Sequence, residues 1–326
     1  MKAFIASALA ATLAALALLA HATDPYPSGP VTLIAPFPPG GPGDVLAREV
    51  AQHAGKRLGQ PVVVENVAGA AGRTGTARAA KASPDGYTIS MGTIGTHVAN
   101  VALYRTLPYD PVKDFEPVTH LGGAPLMLVA SPSLAVGNFA EFVDHARRSP
   151  AKLRYGTAGP GSIAHLGCLV LLGEIKAEAQ QAPYKGVAIA MTDLLAGKID
   201  LMCAQSTTAL PHVRSGKLKA LAALVAPRMP VLPDLVTAAE SGFPAVNVRS
   251  WNGVFAPKGT PDDVVARLHA AFAGALQDAE FRRAMEPLGL DVPSAAGSTP
   301  EALKAQLAGD LQTLVPLIRS RQEFLD

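Results

Sequence analysis

Two short stretches of this sequence contain the residue types that bind anions through the backbone. The first, residues 35–44, reads “APFPPGGPGD”, and the second, residues 155–165, reads “YGTAGPGSIAH”. Each follows a strand-like apolar segment and leads into a helical pattern. Glycines allow close approach of a ligand, and the unpaired N–H groups at a helix start attract negative charge. Together they favour a carboxylate site, although either one alone also fits a plain connection capped by Asp44 or Ser162.

Other chemistries fit these residues less well. No lysine follows Gly43 as a phosphate-binding loop requires, and Leu46 stands where the dinucleotide fingerprint needs its third glycine. Ser162 and His165 could form a hydrolytic pair, but Ser162 lacks a Gly-x-Ser-x-Gly elbow and no acid is identified to orient His165. The histidines show no metal-ligand spacing. We therefore expect no catalytic residue, no metal and no cofactor.

The first 22 residues have the pattern of a secretory signal. Lys2 is followed by an apolar run and by the small-x-small site Ala20-His21-Ala22, which predicts cleavage after Ala22 and a periplasmic protein. A membrane anchor is the alternative, but the run is at the lower limit for spanning. The formal net charge of the 326 residues is only +2, and no basic run is present, so we expect no nucleic-acid partner. No later segment is long enough to predict a membrane span.

Strand-like and helical segments alternate along the rest of the chain. The strand-like segments are “VTLIA”, “VVVENV”, “YTISMGT”, “LMLVAS”, “LRYGTA”, “IDLMCA”, “LKALAALV” and “VRSWNGVFAP”. This alternation predicts an α/β fold with largely parallel sheets. Ligands bind at the carboxyl ends of strands in such sheets, and two glycine turns are more than one domain needs. We therefore expect two lobes that share one cleft.

Three features have two interpretations each. Cys168 and Cys203 could form a disulfide in an oxidising compartment or remain buried thiols. Trp251 could pack where the chain returns to the first lobe, which we favour, or line the cleft. The polar residues 205–208 could contact the variable end of a ligand or form a solvated loop.

The sequence resembles the extracytoplasmic solute-binding receptors of tripartite tricarboxylate transporters, the Bug family. Eight signatures in family order carry the resemblance: “PVTLIAPFPPGGPGDVLAR”, “VVVENVAGAAGRTGT”, “ASPDGYTI”, “LPYDPVKDFEPV”, “YGTAGPGSIAHL”, “APYKGVAIAMTDLLAGKIDLM”, “SGKLKALA” and “WNGVFAPKGTP”. The resemblance implies a two-lobed type II periplasmic-binding-protein fold with the ligand cleft between the lobes. Lobe 1 is expected in residues 23–124 and 248–326, and lobe 2 in residues 125–247.

The resemblance also implies a site in which the two glycine turns hold a ligand carboxylate through backbone N–H groups and bridging waters. The ligand-binding residues that it assigns are Pro39, Gly40, Gly41, Gly43, Asp44, Thr93, His97, Thr157, Ala158, Gly161, Ser162, His165, Tyr184, Lys185 and Asp193. The first turn departs from the family pattern at Pro42, which removes an N–H group. Lys185 and His97 would suit a second carboxylate and Asp193 an amine, so dicarboxylates, amino acids and aromatic acids all remain open.

The function implied by the resemblance is capture of a small organic carboxylate and its delivery to the membrane permease subunits of such a transporter. We expect a monomer that is not an enzyme. The alternative is a sensor that presents its closed, ligand-bound form to a membrane signalling receptor, and a Ser/His hydrolase is the less favoured third possibility.

Overall fold

The computed structural model describes residues 26–148, 153–321 and 325. The secretory signal expected in residues 1–22 lies outside them. Within the described residues, no helix combines the length and the apolar character needed to cross a membrane. These residues form two five-stranded sheets with helices packed on both.

Strands and helices alternate as the sequence predicted. In chain order the elements are β1 (Val31–Ala35), α1 (Pro42–Leu58), β2 (Val62–Asn66), α2 (Arg73–Ala80), β3 (Thr88–Thr93), a π-helical turn (Gly95–Ala99) continued by α3 (Asn100–Leu103), β4 (Phe115–Gly122), β5 (Leu126–Ala130), α4 (Phe139–Arg148), β6 (Arg154–Thr157), α5 (Ile163–Glu174), β7 (Gln180–Pro183), α6 (Val187–Leu195), β8 (Leu201–Gln205), α7 (Ser206–Arg214), β9 (Lys219–Ala223), β10 (Asn252–Pro257), α8 (Asp262–Leu276), α9 (Ala279–Met285) and α10 (Pro300–Arg321). The sequence had not predicted β4, which contains Pro117, or the short β7.

The two sheets have the strand orders β2-β1-β3-β10-β4 and β7-β6-β8-β5-β9. In the first, β1 pairs parallel with β2 and β3, and in the second β6 pairs parallel with β7 and β8. The exceptions to the predicted parallel pairing are β10 and β5, which run antiparallel to both neighbours. Each of these strands enters its sheet from the other lobe, so it starts at the edge where the parallel strands end.

Helix α1 shows how the sequence pattern fixes the elements that carry the site. Its residues Leu46, Val50, Ala54 and Leu58, spaced three or four apart, are all buried in the core of the first sheet. Complete burial of a leucine or valine side chain stabilises the fold by roughly 1.5–3 kcal/mol. The glycine turn that precedes α1 is therefore attached to a rigid helix.

The segments that connect the lobes, residues 123–125 and 249–251, run side by side. Ser250 Oγ donates a hydrogen bond to Ala124 O at 2.6 Å and accepts one from Ala124 N–H at 2.9 Å. A Cβ atom at Gly123 would overlap the Ser250 carbonyl, so this close pairing requires glycine. The boundaries expected after residues 124 and 247 stay a prediction, and these paired segments lie beside them.

Cys168 on α5 and Cys203 on β8 form a disulfide with their Cα atoms 5.4 Å apart. Both residues are fully buried in the core of the second sheet. The pairing is one of the two states that the sequence left open. It ties the helix that follows the second glycine turn to a central strand of that sheet.

Candidate functional site

A cavity of about 120 Å³ lies between the two lobes. It is bordered by the carboxyl ends of the parallel strands β1, β3, β6 and β8, the place where open α/β sheets bind ligands. A water molecule needs a cavity of about 10–15 Å³, so this space suits a small organic molecule. Its lining residues are Phe37, Pro38, Pro39, Gly41, Pro42, Gly43, Ala71, Thr93, Ile94, Gly95, Ala158, Gly161, Ser162, Ile163, Gly186, Val187, Ala188, Ile189, Gln205, Ser250, Trp251 and Asn252.

The first glycine turn places the start of α1 against the cavity. Gly40 has the left-handed φ of +80°, whereas Gly41 is extended at φ −84° and caps the helix that begins at Pro42. The N–H of Gly40 donates to Asp44 Oδ2 at 3.0 Å, so this N–H faces the helix. The N–H of Gly43 lies in the first helical turn, where backbone donors have no intrahelical acceptor.

The second glycine turn repeats this arrangement in the other lobe. Gly161 has a left-handed φ of +81°, and the extended Ser162 caps α5, which begins at Ile163. The N–H of Gly161 donates to His165 Nδ1 at 3.2 Å, and Ser162 Oγ accepts the N–H of His165 at 3.3 Å. The starts of α1 and α5, one from each lobe, thus border the same cavity.

The cavity borders helix starts from both lobes. None of the described residues that line it has a charged side chain. Asp44 is 4% exposed and lies behind the first turn. Burial raises the pKa of Asp44, but hydrogen bonds from Arg48, Gly40 N–H and Asn66 outweigh it and leave this pKa below its ordinary value. An anion in the cavity would therefore face N–H groups and helix starts instead of a lysine or an arginine.

The sequence-based placement of His97 in the cleft is corrected by the structure. His97 is 0% exposed, its ring stacks on Phe255 with the centroids 4.2 Å apart, and Nδ1 lies 2.9 Å from Thr96 Oγ1. Burial lowers the pKa of His97 to about 3, so the ring is neutral at ordinary pH. The π-helical turn directs this side chain into the aromatic core against β10, where it cannot meet a second carboxylate. Thr93, just before that turn, does line the cavity.

The charged candidates from the second lobe also lie outside the cavity. Lys185 is exposed and is not among the lining residues. The Tyr184 hydroxyl donates to Asp193 Oδ2 at 2.9 Å, and Asp193 pairs with Lys198 Nζ at 3.1 Å. Asp193 already has these partners, so it is not positioned for a ligand amine. From this segment it is Gly186, together with the first turn of α6, that borders the cavity.

The remaining predicted residues fall into two groups. Those that line the cavity are Pro39, Gly41, Gly43, Thr93, Ala158, Gly161 and Ser162. Asp44, Thr157 and His165 lie behind the turns and accept their N–H groups, and Gly40 is the residue of the first turn whose N–H Asp44 accepts. Thr157 Oγ1, for example, accepts the N–H of Gly159 at 3.1 Å.

Several lining residues were missed because their signal in the sequence is only that of an ordinary apolar or loop residue. The lining residues that the sequence did not predict include Phe37, Ile163, Val187, Ile189 and Asn252. Trp251 both packs against the first lobe and lines the cavity. Its indole N–H donates to Asp310 Oδ2 on α10 at 2.6 Å, and it is among the lining residues. Of residues 205–208 only Gln205 reaches the cavity, and its Nε2 donates to Ser250 Oγ at 2.9 Å.

The geometry of Ser162 and His165 is that of a helix start. His165 Nδ1 accepts the Gly161 N–H, and the Ser162 hydroxyl oxygen accepts a backbone N–H. A nucleophile and its base would require a hydrogen bond between the hydroxyl and the imidazole, and these contacts do not provide it.

Two α/β lobes with a small cavity between them, bordered by strand ends and helix starts, define a two-lobed solute-binding protein of the periplasmic type. A family model described as “Tripartite tricarboxylate transporter family receptor” matches residues 46–313. The chain belongs to this family, which is a family of solute-binding receptors, and the resemblance inferred from its signatures is confirmed.

Individual proteins support the same assignment. The chain is 34% identical to Protein BugT of Bordetella pertussis (strain Tohama I) over 297 residues, which cover 91% of this chain and 90% of that one. It is similar to the solved periplasmic binding protein BugD with a TM-score of 0.87, 36% identity and coverage of 91% and 100%. It is also similar to MatC (Rpa3494) from Rhodopseudomonas palustris, solved with bound malate, with a TM-score of 0.86, 37% identity and coverage of 90% and 100%. These likenesses confirm the two-lobed fold.

Proposed function

We propose that this protein is exported to the periplasm, captures a small organic carboxylate between its lobes and delivers it to the membrane permease subunits of a tripartite tricarboxylate transporter. The observation that carries the proposal is the pair of glycine turns, one from each lobe, that border one cavity without a charged side chain among its described lining residues.

Backbone groups are sufficient to hold the acid. Each helix start carries the equivalent of about +0.5 elementary charge, and a hydrogen bond to a charged group contributes roughly 1.5–3 kcal/mol. A few N–H groups from the starts of α1 and α5 therefore bind a carboxylate without a cationic side chain. The apolar walls around them exclude water, which strengthens each of these hydrogen bonds.

Binding is coupled to closure of the lobes. They meet around the cavity, where a Cβ atom on Gly95 would lie 3.0 Å from Gly161 O of the other lobe. A ligand that contacts both turns stabilises this closed arrangement by its higher affinity for it. The closed form is what a membrane partner would recognise.

Malate is the first acid to test, because MatC, a similar receptor, was solved with malate bound. Thermal unfolding is followed with malate, succinate, adipate, benzoate and glutamate, each paired with the amide in which its carboxylate groups are replaced. An acid present at about 100 times its Kd stabilises the folded protein by roughly 2.7 kcal/mol, and the amide has no such effect because it lacks the charge. Absence of stabilisation by every acid, or equal stabilisation by an amide, would contradict the proposed carboxylate site.

Measurements in cells distinguish transport from sensing. Uptake of the radiolabelled acid should fall when the gene is deleted and should return with the wild-type copy. Normal uptake combined with a lost transcriptional response to the acid would favour the sensor. Turnover of simple esters that disappears in Ser162→Ala would instead support the hydrolase.

A further inference from the structure

Asp44 and His165 occupy equivalent positions in the two glycine turns. Each is the third residue of its helix, and each side chain accepts the N–H of the glycine four residues earlier, Gly40 or Gly161. The two glycines have nearly the same left-handed φ, +80° and +81°. The same hydrogen-bonded turn thus occurs twice with different side chains, a carboxylate in lobe 1 and an imidazole in lobe 2.

The hydrogen bond decides which way the peptide groups of each turn point. A glycine tolerates several backbone conformations, so without an acceptor its N–H could rotate toward the cavity. With the acceptor in place, that N–H is directed to the helix and the next donors are fixed at the helix start. Neither Asp44 nor His165 lines the cavity, so both act through the turn.

We propose that Asp44 and His165 are positioning residues that hold the two glycine turns in the orientation that binds a carboxylate. The inference rests on the proposed function, because the turns are assigned there to the ligand. It specifies that His165 is neutral with its proton on Nε2, since Nδ1 must accept the Gly161 N–H. Burial, which lowers the pKa of His165 to about 4, keeps the ring in this neutral form at ordinary pH.

Nuclear magnetic resonance of the nitrogen-labelled wild-type protein tests the hydrogen bond without any ligand. We expect a ¹⁵N resonance of an unprotonated Nδ1 for His165 and slow amide exchange for Gly161. A proton on Nδ1 would overturn the inference for the second turn, whether or not the protein binds an acid.

Paired variants test the role of the acceptor. His165→Asn keeps an acceptor near the position of Nδ1, whereas His165→Leu keeps the bulk without one. In the leucine variant we expect exchange of the Gly161 amide to be roughly 2- to 10-fold faster, the effect of one lost hydrogen bond, and affinity for the best acid among malate, succinate, adipate, benzoate and glutamate to fall by a similar factor. The Asn variant should retain slow exchange of the Gly161 amide and affinity for the acid better than the Leu variant. Comparison of Asp44→Asn with Asp44→Leu makes the same test for the N–H of Gly40.

Equal losses in the Asn and Leu variants would overturn the inference, because they would show that ring packing and not the acceptor matters. Unchanged exchange in both variants would overturn it as well. If no acid of the panel stabilises the wild-type protein, the proposed function fails, whereas the tautomer and the exchange rates still decide whether the side chains hold the turns. If His165→Leu does not fold, the tautomer of the wild-type ring and the Asp44 pair decide.

Discussion

Replacement of Gly186 with alanine should block closure of the lobes without disturbing either lobe. Gly186 caps α6 with an extended φ of 178°, a conformation that any residue adopts. A Cβ atom there would lie 2.8 Å from Cγ of Pro38, which belongs to the first glycine turn in the opposite lobe. The added methyl group therefore meets an obstacle only when the lobes are closed.

The size of the effect follows from the overlap. Carbon atoms in contact lie roughly 3.5–4.0 Å apart, so the methyl group is about 1 Å too close to the proline ring. Overpacking of this kind costs typically about 1–3 kcal/mol, which corresponds to roughly 5- to 150-fold weaker binding. The free energy of unfolding without ligand should stay near that of the wild type, because the open form has no such contact.

Calorimetric titration with the best acid of the panel measures the affinity, and urea unfolding measures the stability. Gly29→Ala is the control, since Gly29 lies outside the helices and its added methyl group would have no atom within 4 Å. In the double variant with Pro38→Ala the nearest remaining Pro38-derived atom, Cβ, is 3.8 Å from the new methyl group, so much of the affinity should return. Wild-type affinity in Gly186→Ala would refute the closed arrangement as the ligand-bound form.

Three further predictions concern the disulfide, Trp251 and two buried histidines. Removal of the disulfide in Cys168→Ala/Cys203→Ala should lower the free energy of unfolding by about 2–4 kcal/mol, whereas urea midpoints equal to the wild type would contradict this. Trp251 is the single tryptophan and lines the cavity, so its fluorescence emission should shift when an acid binds there. A titration in which calorimetry detects binding but the emission does not shift would contradict this placement of Trp251. Burial lowers the pKa of His97 to about 3 and of His165 to about 4, so stability should fall as the pH drops below about 6.5, where the unfolded chain binds protons first. The two histidines together account for a loss of about 4 kcal/mol between pH 7 and 5, and equal stabilities from urea unfolding at the two pH values would contradict their burial as neutral rings.

Local patterns in the sequence were enough to predict the glycine turns and the elements around them. The spacing of Leu46, Val50 and Leu58 predicts a helix with one buried face, and that helix is α1. The proline and glycine residues before it predict a turn in which a backbone N–H is available. Such signals lie within one turn or one helix, so they do not depend on the rest of the chain.

The hydrogen bonds that the Asp44 and His165 side chains make in the turns were harder to predict. From the sequence, Asp44 and His165 were both assigned to the ligand, but their side chains accept N–H groups behind the turns. The choice depends on side-chain rotamers and on burial. Those are set by packing of α1 and α5 against their sheets, which no local pattern encodes.

The family, the α/β alternation and the two glycine turns could be predicted from the sequence alone, because each of these depends on residues close together in the chain. The tertiary structure decided which residues share the cavity: it brings Phe37, Ile163 and Trp251 together from distant segments and buries His97 in the aromatic core. It also places Lys185 and Asp193 outside the cavity. The cavity lies where the two sheets and their helices meet, so its walls are set by the relative position of the lobes and by the direction in which each helix packs.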